Sequence, residues 1–330
     1  MVINLPVNSV PFFNQLGTTI GLEIFKAMEP DMSIIIPTRN EGQRIVKAIR
    51  SWAHNRSKKF PLEFVIVDDA SNDGCCTGLE NLLNEDNDTV SILVVKMNEW
   101  CGIPYARNIG AAYAKAPVLV ITDANVEASF GWDLPVIRNL KPGRVLCATI
   151  ADAGSSWRGY GCLMNLPSME INWLPSPFCF KGQVPVSPCT GTVLHADLFR
   201  NAGGYDTAMP VYGAAEPEFS VRLWLYGAEI ISCAGLVLYH RFRPSREREP
   251  FLKQIAFTQA ANYLRFGLLY LDENKMTNLL KYWKQAAPDY FDEALQQAEN
   301  GKAWERRRHL QQNFVRDFAW YLNHFGLYNQ

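Results

Sequence analysis

Residues 118–125 read VLVITDAN, an apolar run that ends in polar side chains. Four aliphatic residues in succession predict a strand that is buried on both faces, as in a parallel sheet. Asp123 and Asn125 follow the strand one residue apart, so their side chains are expected to leave the sheet on the same side. Oxygen ligands at this spacing can bind a hard divalent cation. An Asp-x-Asn sequence after a strand also forms ordinary turns, which is the alternative for this pair taken alone.

The segment N-terminal to this strand repeats the same pattern. From Met32 onward, short β-branched runs alternate with helical patterns, which predicts a parallel sheet with crossover helices. The predicted strands are 33–36 (closed by Pro37), 64–67, 90–95 and 118–122, and the predicted helices are 44–52 and 105–113. Polar residues follow three of these strands: Thr38, Asn40 and Glu41, then Asp68 and Asp69, then Asp123 and Asn125. In open α/β sheets, ligands bind outside the carboxyl ends of the strands, so we expect a ligand site there.

The second half of the chain has a different pattern. A stretch rich in Pro, Gly and Trp covers residues 154–188, and we expect it to form loops that bind an acceptor. The predicted elements that follow are a strand at 192–194, a helix at 216–225, and strands at 229–232 and 236–239. From Phe251 onward the pattern is almost entirely helical.

Composition excludes several classes of protein. The 330 residues are 48% hydrophobic, which is enough for a large core, and 32 basic against 33 acidic residues give no global attraction to nucleic acid or anionic lipid. The eight cysteines form no CxxC pair, so we interpret them as thiols of a reducing compartment. The first 25 residues do not resemble a signal peptide, and no apolar run reaches the roughly 18 residues of a membrane span. A cytoplasmic location is therefore expected.

His240 is a second candidate ligand, because it ends a predicted strand and imidazole suits manganese as well as zinc. A lone histidine is more often a partly buried structural residue, but here arginines follow closely at 241, 243, 246 and 248. Their guanidinium groups suit a diphosphate. For Arg246 and Arg248 a solvated surface with interleaved glutamates is an equally good interpretation.

Three further residues are candidates at the predicted site. Asp68 and Asp69 are adjacent and point in opposite directions, so only one of them can face the cleft. Arg107 begins a predicted helix, where anions are favoured. Glu216 lies at the start of another helix, where an acid also stabilises the helix dipole. Its functional interpretation is a base or a group that orients the acceptor.

Taken together, these segments resemble the family 2 glycosyltransferases with the GT-A fold, and more closely their polypeptide N-acetylgalactosaminyltransferase branch. The motifs that carry the resemblance are IPTRNE (36–41), VDDAS (67–71), ARNIG (106–110), TDAN (122–125), GGYD (203–206), YGAAEPEFSVR (212–222) and HRFR (240–243). Their order and spacing extend from about residue 31 to residue 243. Chance could supply one of these motifs but hardly all of them.

The resemblance implies a Rossmann-like mixed sheet with flanking helices and a C-terminal helical extension. It implies a division into an N-terminal extension (1–30), a GT-A domain (31–249) with nucleotide-binding (31–125) and acceptor-binding (126–249) halves, and a helical region (250–330). The nucleotide sugar would contact Pro37, Thr38, Arg39, Glu41, Asp69, Arg107, Asp123 and Arg243. The metal, Mn²⁺ or Mg²⁺, would be held by Asp123, Asn125 and His240.

Two departures from the family pattern bear on catalysis, for which the implied residues are Asp123 and Glu216. Asn125 stands where a second aspartate, or a histidine in the closer branch, is usual. Ala215-Glu216 stands where inverting families carry Glu-Asp, and the retaining branch has a neutral amide at the position of Glu216. The stereochemical outcome therefore stays open.

The implied reaction is transfer of a sugar from a nucleoside-diphosphate donor, with UDP favoured, to a hydroxyl of a polypeptide or glycan. One alternative acceptor is a hydroxylated base in DNA, suggested by arginines at 241–248 and 306–308 near aromatic residues. A packed amphipathic tail is the simpler interpretation of the second group. A non-catalytic scaffold is the other alternative, because of Asn125 and Glu216. The sequence does not indicate an oligomeric state.

Overall fold

The structure is a computed structural model that describes residues 2–5, 20–24, 29–58, 60–82, 89–188 and 190–327. Most of the predicted N-terminal extension, residues 1–30, lies outside the described residues, as does Cys189. None of the helices in the described part of the chain has the length and apolar character needed to cross a bilayer.

A large mixed sheet forms the centre of the molecule, with helices on both faces. The strands are Val2–Leu5 (β1), Ile20–Ile24 (β2), Met32–Thr38 (β3), Leu62–Asp68 (β4), Val90–Met97 (β5), Val118–Ile121 (β6), Val126–Ala128 (β7), Arg144–Asp152 (β8), Arg158–Gly159 (β9), Cys162–Met164 (β10), Ile171–Trp173 (β11), Thr192–His195 (β12) and Glu229–His240 (β13). The α-helices are Arg44–His54 (α1), Ile103–Tyr113 (α2), Asp133–Asn139 (α3), Ala196–Ala202 (α4), Ala215–Leu225 (α5), Ser245–Tyr270 (α6), Glu273–Ala286 (α7), Phe291–Asn300 (α8), Ala303–Gln311 (α9) and Phe318–His324 (α10).

The sheet order is β1-β2-β5-β4-β3-β6-β12-β8-β13-β7, with β9 paired to β8. The strands β5, β4, β3 and β6 are parallel, as predicted, whereas β12 runs antiparallel to both β6 and β8. The parallel group brings the carboxyl ends of β3, β4 and β6 to one edge. The later strands β13 and β7 bring the end of β13 to the segment that follows β6.

The structure differs from the sequence expectation at two strands. Pro37 does not close β3, since the strand continues to Thr38 and Pro37 pairs in register with Val67. The two strands predicted at 229–232 and 236–239 are one strand, β13, with a shift of register between Cys233 and Val237. A bulge interrupts the hydrophobic alternation of a strand, so one bulged strand can resemble two.

Alternation along β3 divides the core between the two faces of the sheet. Ile34 and Ile36 pack on one face, in a cluster that includes Trp52 of α1 and Trp132. Ile35 packs on the opposite face, in a cluster that extends into the C-terminal helices. Because side chains of a strand alternate, the run of apolar residues in β3 serves both layers.

The C-terminal helices are joined to the sheet domain by buried ion pairs. Glu218 of α5 pairs with Arg222 at 2.5 Å, with neither side chain exposed, and accepts a 2.7 Å hydrogen bond from Tyr270 of α6. Asp206 pairs with both Arg265 and Arg306 at 3.0 Å. The predicted division at residue 250 stays a prediction, and α6 runs through that position as a continuous helix.

We expect Glu218→Leu to lower the free energy of unfolding by about 3–5 kcal/mol, because it leaves Arg222 charged and unpaired in the core. Denaturant unfolding followed by circular dichroism measures this change. The control is Asp197→Ala, which removes an exposed ion pair to Arg200 and should cost less than about 1 kcal/mol. Equal losses for both variants would contradict the role of the buried pair.

Candidate active site

The candidate site lies where β3, β4 and β6 end. The backbone N–H of Asp69 donates to the carbonyl of Thr38 at 2.8 Å, and the N–H of Thr122 donates to Ile35 at 3.1 Å, so the three strand ends are locked together. The hydroxyls of Thr38 and Thr122 are buried and have no hydrogen-bond partner among the described residues. The sheet therefore presents polar groups at this edge, as the sequence predicted.

A fully buried guanidinium, that of Arg107 on α2, lies at the centre of the site. It pairs with Asp123 at 3.1 Å and with Glu216 at 3.0 Å, and its charge lies 5.4 Å from the centre of the Tyr205 ring. Asp123 comes from the nucleotide-binding half of the predicted domain and Glu216 from the acceptor-binding half. One cation thus joins the two predicted catalytic carboxylates, and the Thr190 hydroxyl donates to the other oxygen of Asp123.

Asp69 organises the loop that leads into α2. Its two carboxylate oxygens accept from the backbone N–H groups of Cys101 at 2.7 Å and Gly102 at 2.8 Å. Burial raises the pKa of Asp69, although these two donors and the charge of Arg39 oppose the shift. Arg39 donates to the Asp69 carbonyl at 2.6 Å and lies 4.8 Å over the Trp100 ring. Asp69 therefore shapes this wall of the site through the backbone.

Glu41 connects the end of β3 to the arginine-rich segment after β13. It pairs with Arg243 at 2.5 Å and with Arg44 at 3.1 Å. A cavity of about 380 Å³ opens beside it, and Asn125 and Arg241 are among its lining residues. The predicted site residues Glu41, Arg243 and Asn125 thus lie at the same side of the site.

The structure brings the predicted metal ligands His240 and Asn125 to neighbouring positions at the sheet edge. His240 ends β13, paired in register with Asp152 and with Val126, directly after Asn125. Burial lowers the pKa of His240, and Arg243 adds to this effect, while Asp123 and Asp152 oppose it. The neutral imidazole is the form that ligates a metal, and its Nδ1 is buried without a partner among the described residues.

The Asn125 amide nitrogen donates to the Arg241 carbonyl at 3.2 Å. In the described part of the chain, no three His, Cys, Asp or Glu side chains are grouped to hold a metal ion. Asp123, Asn125 and His240 stay the predicted metal ligands, and the Nδ1 of His240, unpartnered within the described residues, fits this role. A set with a neutral Asn125 would bind Mn²⁺ or Mg²⁺ more weakly than one with a second carboxylate.

The sequence reasoning missed Thr190, Tyr205 and Trp100. Thr190 precedes β12 and lies between the predicted loops (154–188) and the predicted strand (192–194), and nothing in its spacing indicates a contact with Asp123. Tyr205 belongs to the GGYD motif, which carried the resemblance without a role for its ring. Trp100 follows β5 and lies in none of the motifs.

Comparisons with known proteins show the family and the fold of the chain. The model of glycosyl transferase family 2 matches residues 33–200, which is just over half of the chain. The chain belongs to glycosyl transferase family 2. The predicted enzyme class and the GT-A fold are thereby confirmed.

Among relatives of this family 2 glycosyltransferase, polypeptide N-acetylgalactosaminyltransferase 8 of Drosophila melanogaster is 26% identical over 270 residues, which cover 74% of this chain and 44% of the relative. The chain spans less than half the length of the curated relatives that it matches. GalNAc-T7 with UDP, GalNAc and Mn²⁺ has a TM-score of 0.64 at 18% identity, covering 90% of this chain and 57% of that one. The mannosyltransferase PcManGT of Pyrobaculum calidifontis, with GDP-Man and Mn²⁺, has a TM-score of 0.52 at 18% identity, covering 83% and 74%. These likenesses show a shared fold.

We expect Arg107→Met to lower the free energy of unfolding by about 3–5 kcal/mol, because it leaves Asp123 and Glu216 without the cation between them. Arg107→Lys should lose less, since a point charge remains but cannot donate to both carboxylates as a planar fork does. Denaturant unfolding of both variants measures this order. Arg138→Met, which removes an exposed arginine of α3, is the control and should be neutral. Equal stability of Arg107→Met and the wild type would contradict the central role of the pair.

Proposed function

We propose that the chain transfers a sugar from a nucleoside-diphosphate donor to an acceptor hydroxyl, with a divalent metal. The observation that carries the proposal is the Arg107 bridge, which joins Asp123 and Glu216 at the carboxyl ends of the strands. A buried cation between two carboxylates from different halves of the domain fixes the site before any ligand binds. Such preorganisation is what stabilises charge that develops during a reaction.

The donor's nucleotide would lie along the ends of β3 and β4. Here Arg39, which lies against Trp100 and the Asp69 loop, and Glu41, which pairs with Arg44, supply a polar wall. Arg243 is 42% exposed and can turn from Glu41 toward a diphosphate, for which its guanidinium has the right geometry. The wall accepts a uridine or a guanosine nucleotide on chemical grounds. We propose UDP because the structure of GalNAc-T7, whose fold this chain shares, contains UDP.

Asp123 and His240 would hold the metal, with Asn125 beside them. A bound Mn²⁺ or Mg²⁺ neutralises the charge that grows on the leaving diphosphate. The chain's own contribution is to keep the His240 ring neutral and to hold Asp123 in one orientation through Arg107 and Thr190. Two fixed contacts on Asp123 limit how far its carboxylate can move.

Glu216 would face the acceptor side. One of its oxygens accepts from Arg107, so we propose that it orients Arg107 and the acceptor hydroxyl. Whether it also receives a proton depends on the anomeric outcome, for which inversion and retention are both compatible with a glutamate here. The relatives' name supports a polypeptide hydroxyl as the acceptor, and a glycan hydroxyl is the alternative.

An exposed aromatic cluster beside His240 supports acceptor binding at this edge. The Trp157 ring lies 5.3 Å from the Trp173 ring and 5.5 Å from the Phe242 ring, and Phe242 lies 4.1 Å from His240. All three aromatic side chains are more than a third exposed. Aromatic faces that stay in contact with water suit a sugar ring or an apolar peptide side chain.

The alternative functions receive less support. Arg306 pairs with Asp206, and Arg307 donates to the carbonyls of Leu268 and Leu271, so two arginines of the 306–308 group act inside the fold. This favours the packed tail over a DNA-binding surface. The intact Arg107 bridge favours an enzyme over a scaffold. We keep the cytoplasm as the proposed location, and the seven described cysteines are free thiols, which suits a reducing compartment.

We expect a nucleotide sugar to raise the melting temperature of the protein in the presence of Mn²⁺, because a ligand that binds only the folded state stabilises it. The measurement is a thermal shift across UDP- and GDP-sugars, with and without Mn²⁺. His240→Ala should remove the metal-dependent part of the shift. His309→Ala, an exposed histidine of α9, is the matched control and should leave it unchanged. No shift with any donor for the wild type would overturn the proposal.

A further inference from the structure

The loop of residues 210–214 has an unusual backbone. Val211, Gly213 and Ala214 have φ values of +62°, +94° and +60°. A positive φ is rare for any residue but glycine and is strained for a β-branched one such as Val211. Two residues after this loop comes Glu216. A strained segment persists only where its surroundings hold it. The contacts that hold this loop therefore determine the position of the first turn of α5, which carries Glu216.

Asn262 of α6 provides those contacts. The two N–H bonds of its side-chain nitrogen are shared among three loop carbonyls, those of Pro210 at 2.9 Å, Tyr212 at 3.0 Å and Gly213 at 3.1 Å. The reverse orientation of the amide would face an oxygen toward three acceptors, so the chemistry fixes which atom points at the loop. The Asn262 side-chain oxygen is buried and has no partner among the described residues. Asn262 thus provides hydrogen-bond donors to the loop carbonyls, while its own side-chain oxygen stays without a donor among the described residues.

The same loop touches the nucleotide side of the site. The Val211 backbone forms a parallel bridge with Gly102, and the Ile103 N–H donates to the Val211 carbonyl at 3.2 Å. A Cβ at Gly102 would lie 2.3 Å from the Val211 Cα, so glycine is required for this approach. The Gly102 N–H in turn donates to Asp69. The 210–214 loop therefore connects the Asp69 loop to the start of the helix that carries Glu216.

We propose that Asn262, a residue of the C-terminal helical region, is a positioning residue for sugar transfer. It holds the 210–214 loop in the conformation that sets Glu216 against Arg107 and seats Val211 on Gly102. This inference rests on the proposed function only in its predicted effect on kcat. The nucleotide wall keeps its own supports, because Cys101 and Gly102 still donate to Asp69 without the loop. Loss of Asn262 should therefore act on turnover more than on nucleotide affinity.

The decisive variant is Asn262→Asp in the full chain, because an ionised aspartate has the same shape but presents no donor to the three carbonyls. Leu269→Ala is the matched control. It removes a buried side chain of the same helix about two turns, or roughly 10 Å, from Asn262, and it should lower the melting temperature while leaving the Asn262 amide in place. Asn262→Ala, which removes the amide without adding a charge, serves as a second variant.

The first measurement is hydrogen exchange of the loop amides, which needs no substrate. We expect faster exchange of residues 211–214 in both Asn262 variants and unchanged exchange in Leu269→Ala at the same distance below its melting temperature. Exchange that is equal in all three would overturn the proposal. The exchange experiment tests the role of Asn262 even if the wild type turns over no donor. An absence of turnover would contradict the proposed function and leave the exchange result unaffected.

The second measurement is donor hydrolysis or transfer under saturating nucleotide sugar. We expect kcat to fall at least tenfold in Asn262→Asp while the Kd for UDP with Mn²⁺ stays within twofold of the wild type. Leu269→Ala should keep kcat within threefold below its melting transition. A kcat in Asn262→Asp no lower than in Leu269→Ala, or a loss that appears wholly in the Kd for UDP, would overturn the positioning role.

Discussion

The buried guanidinium of Arg107 is the interaction on which the rest of the site depends. The carboxylates of Asp123 and Glu216 lie on either side of one guanidinium, and without it they would repel each other. Burying them without a cation would cost several kcal/mol per charge. Arg107 resolves this by donating to Asp123 and Glu216 at once, with Tyr205 against its face. Because Asp123 follows β6 and Glu216 begins α5, the pair also fixes how the two halves of the domain meet.

The C-terminal helices support the same region from behind. Arg265 and Arg306 neutralise Asp206, which follows the GGYD glycines, and Tyr270 donates to Glu218, two residues along the helix from Glu216. These buried charges are costly to desolvate and become favourable only when both partners are in place. The helical region therefore supplies ion-pair and hydrogen-bond partners to buried residues of the sheet domain. Helix α5 is held by Tyr270 of this region and by Arg107 of α2.

Sequence alone predicted the parallel strands and the residues at their ends, because buried strands have an apolar pattern and the polar residues after them stand out. It placed Asp123, Glu216 and Arg107 in one site, and the structure adds that they form one ion-paired group. It could not find Thr190 or Asn262, since each acts through a contact that joins segments distant in sequence and neither lies in a recognisable motif. The bulge in β13 was missed for a related reason: a local irregularity breaks the alternation on which strand prediction relies. The contact of Asp69 with the nucleotide sugar stays a prediction, and the described contacts of its side chain are to the backbone N–H groups of Cys101 and Gly102.

The central claim is that Asp123 and His240 hold a metal beside a nucleotide diphosphate, in front of the Arg107 bridge. Crystals of the full chain with UDP and Mn²⁺, measured at the manganese absorption edge, test it most directly. The account predicts one anomalous peak within bonding distance of an Asp123 oxygen and a His240 nitrogen, next to the diphosphate. Bound UDP with no peak there, or a peak away from both side chains, would contradict it.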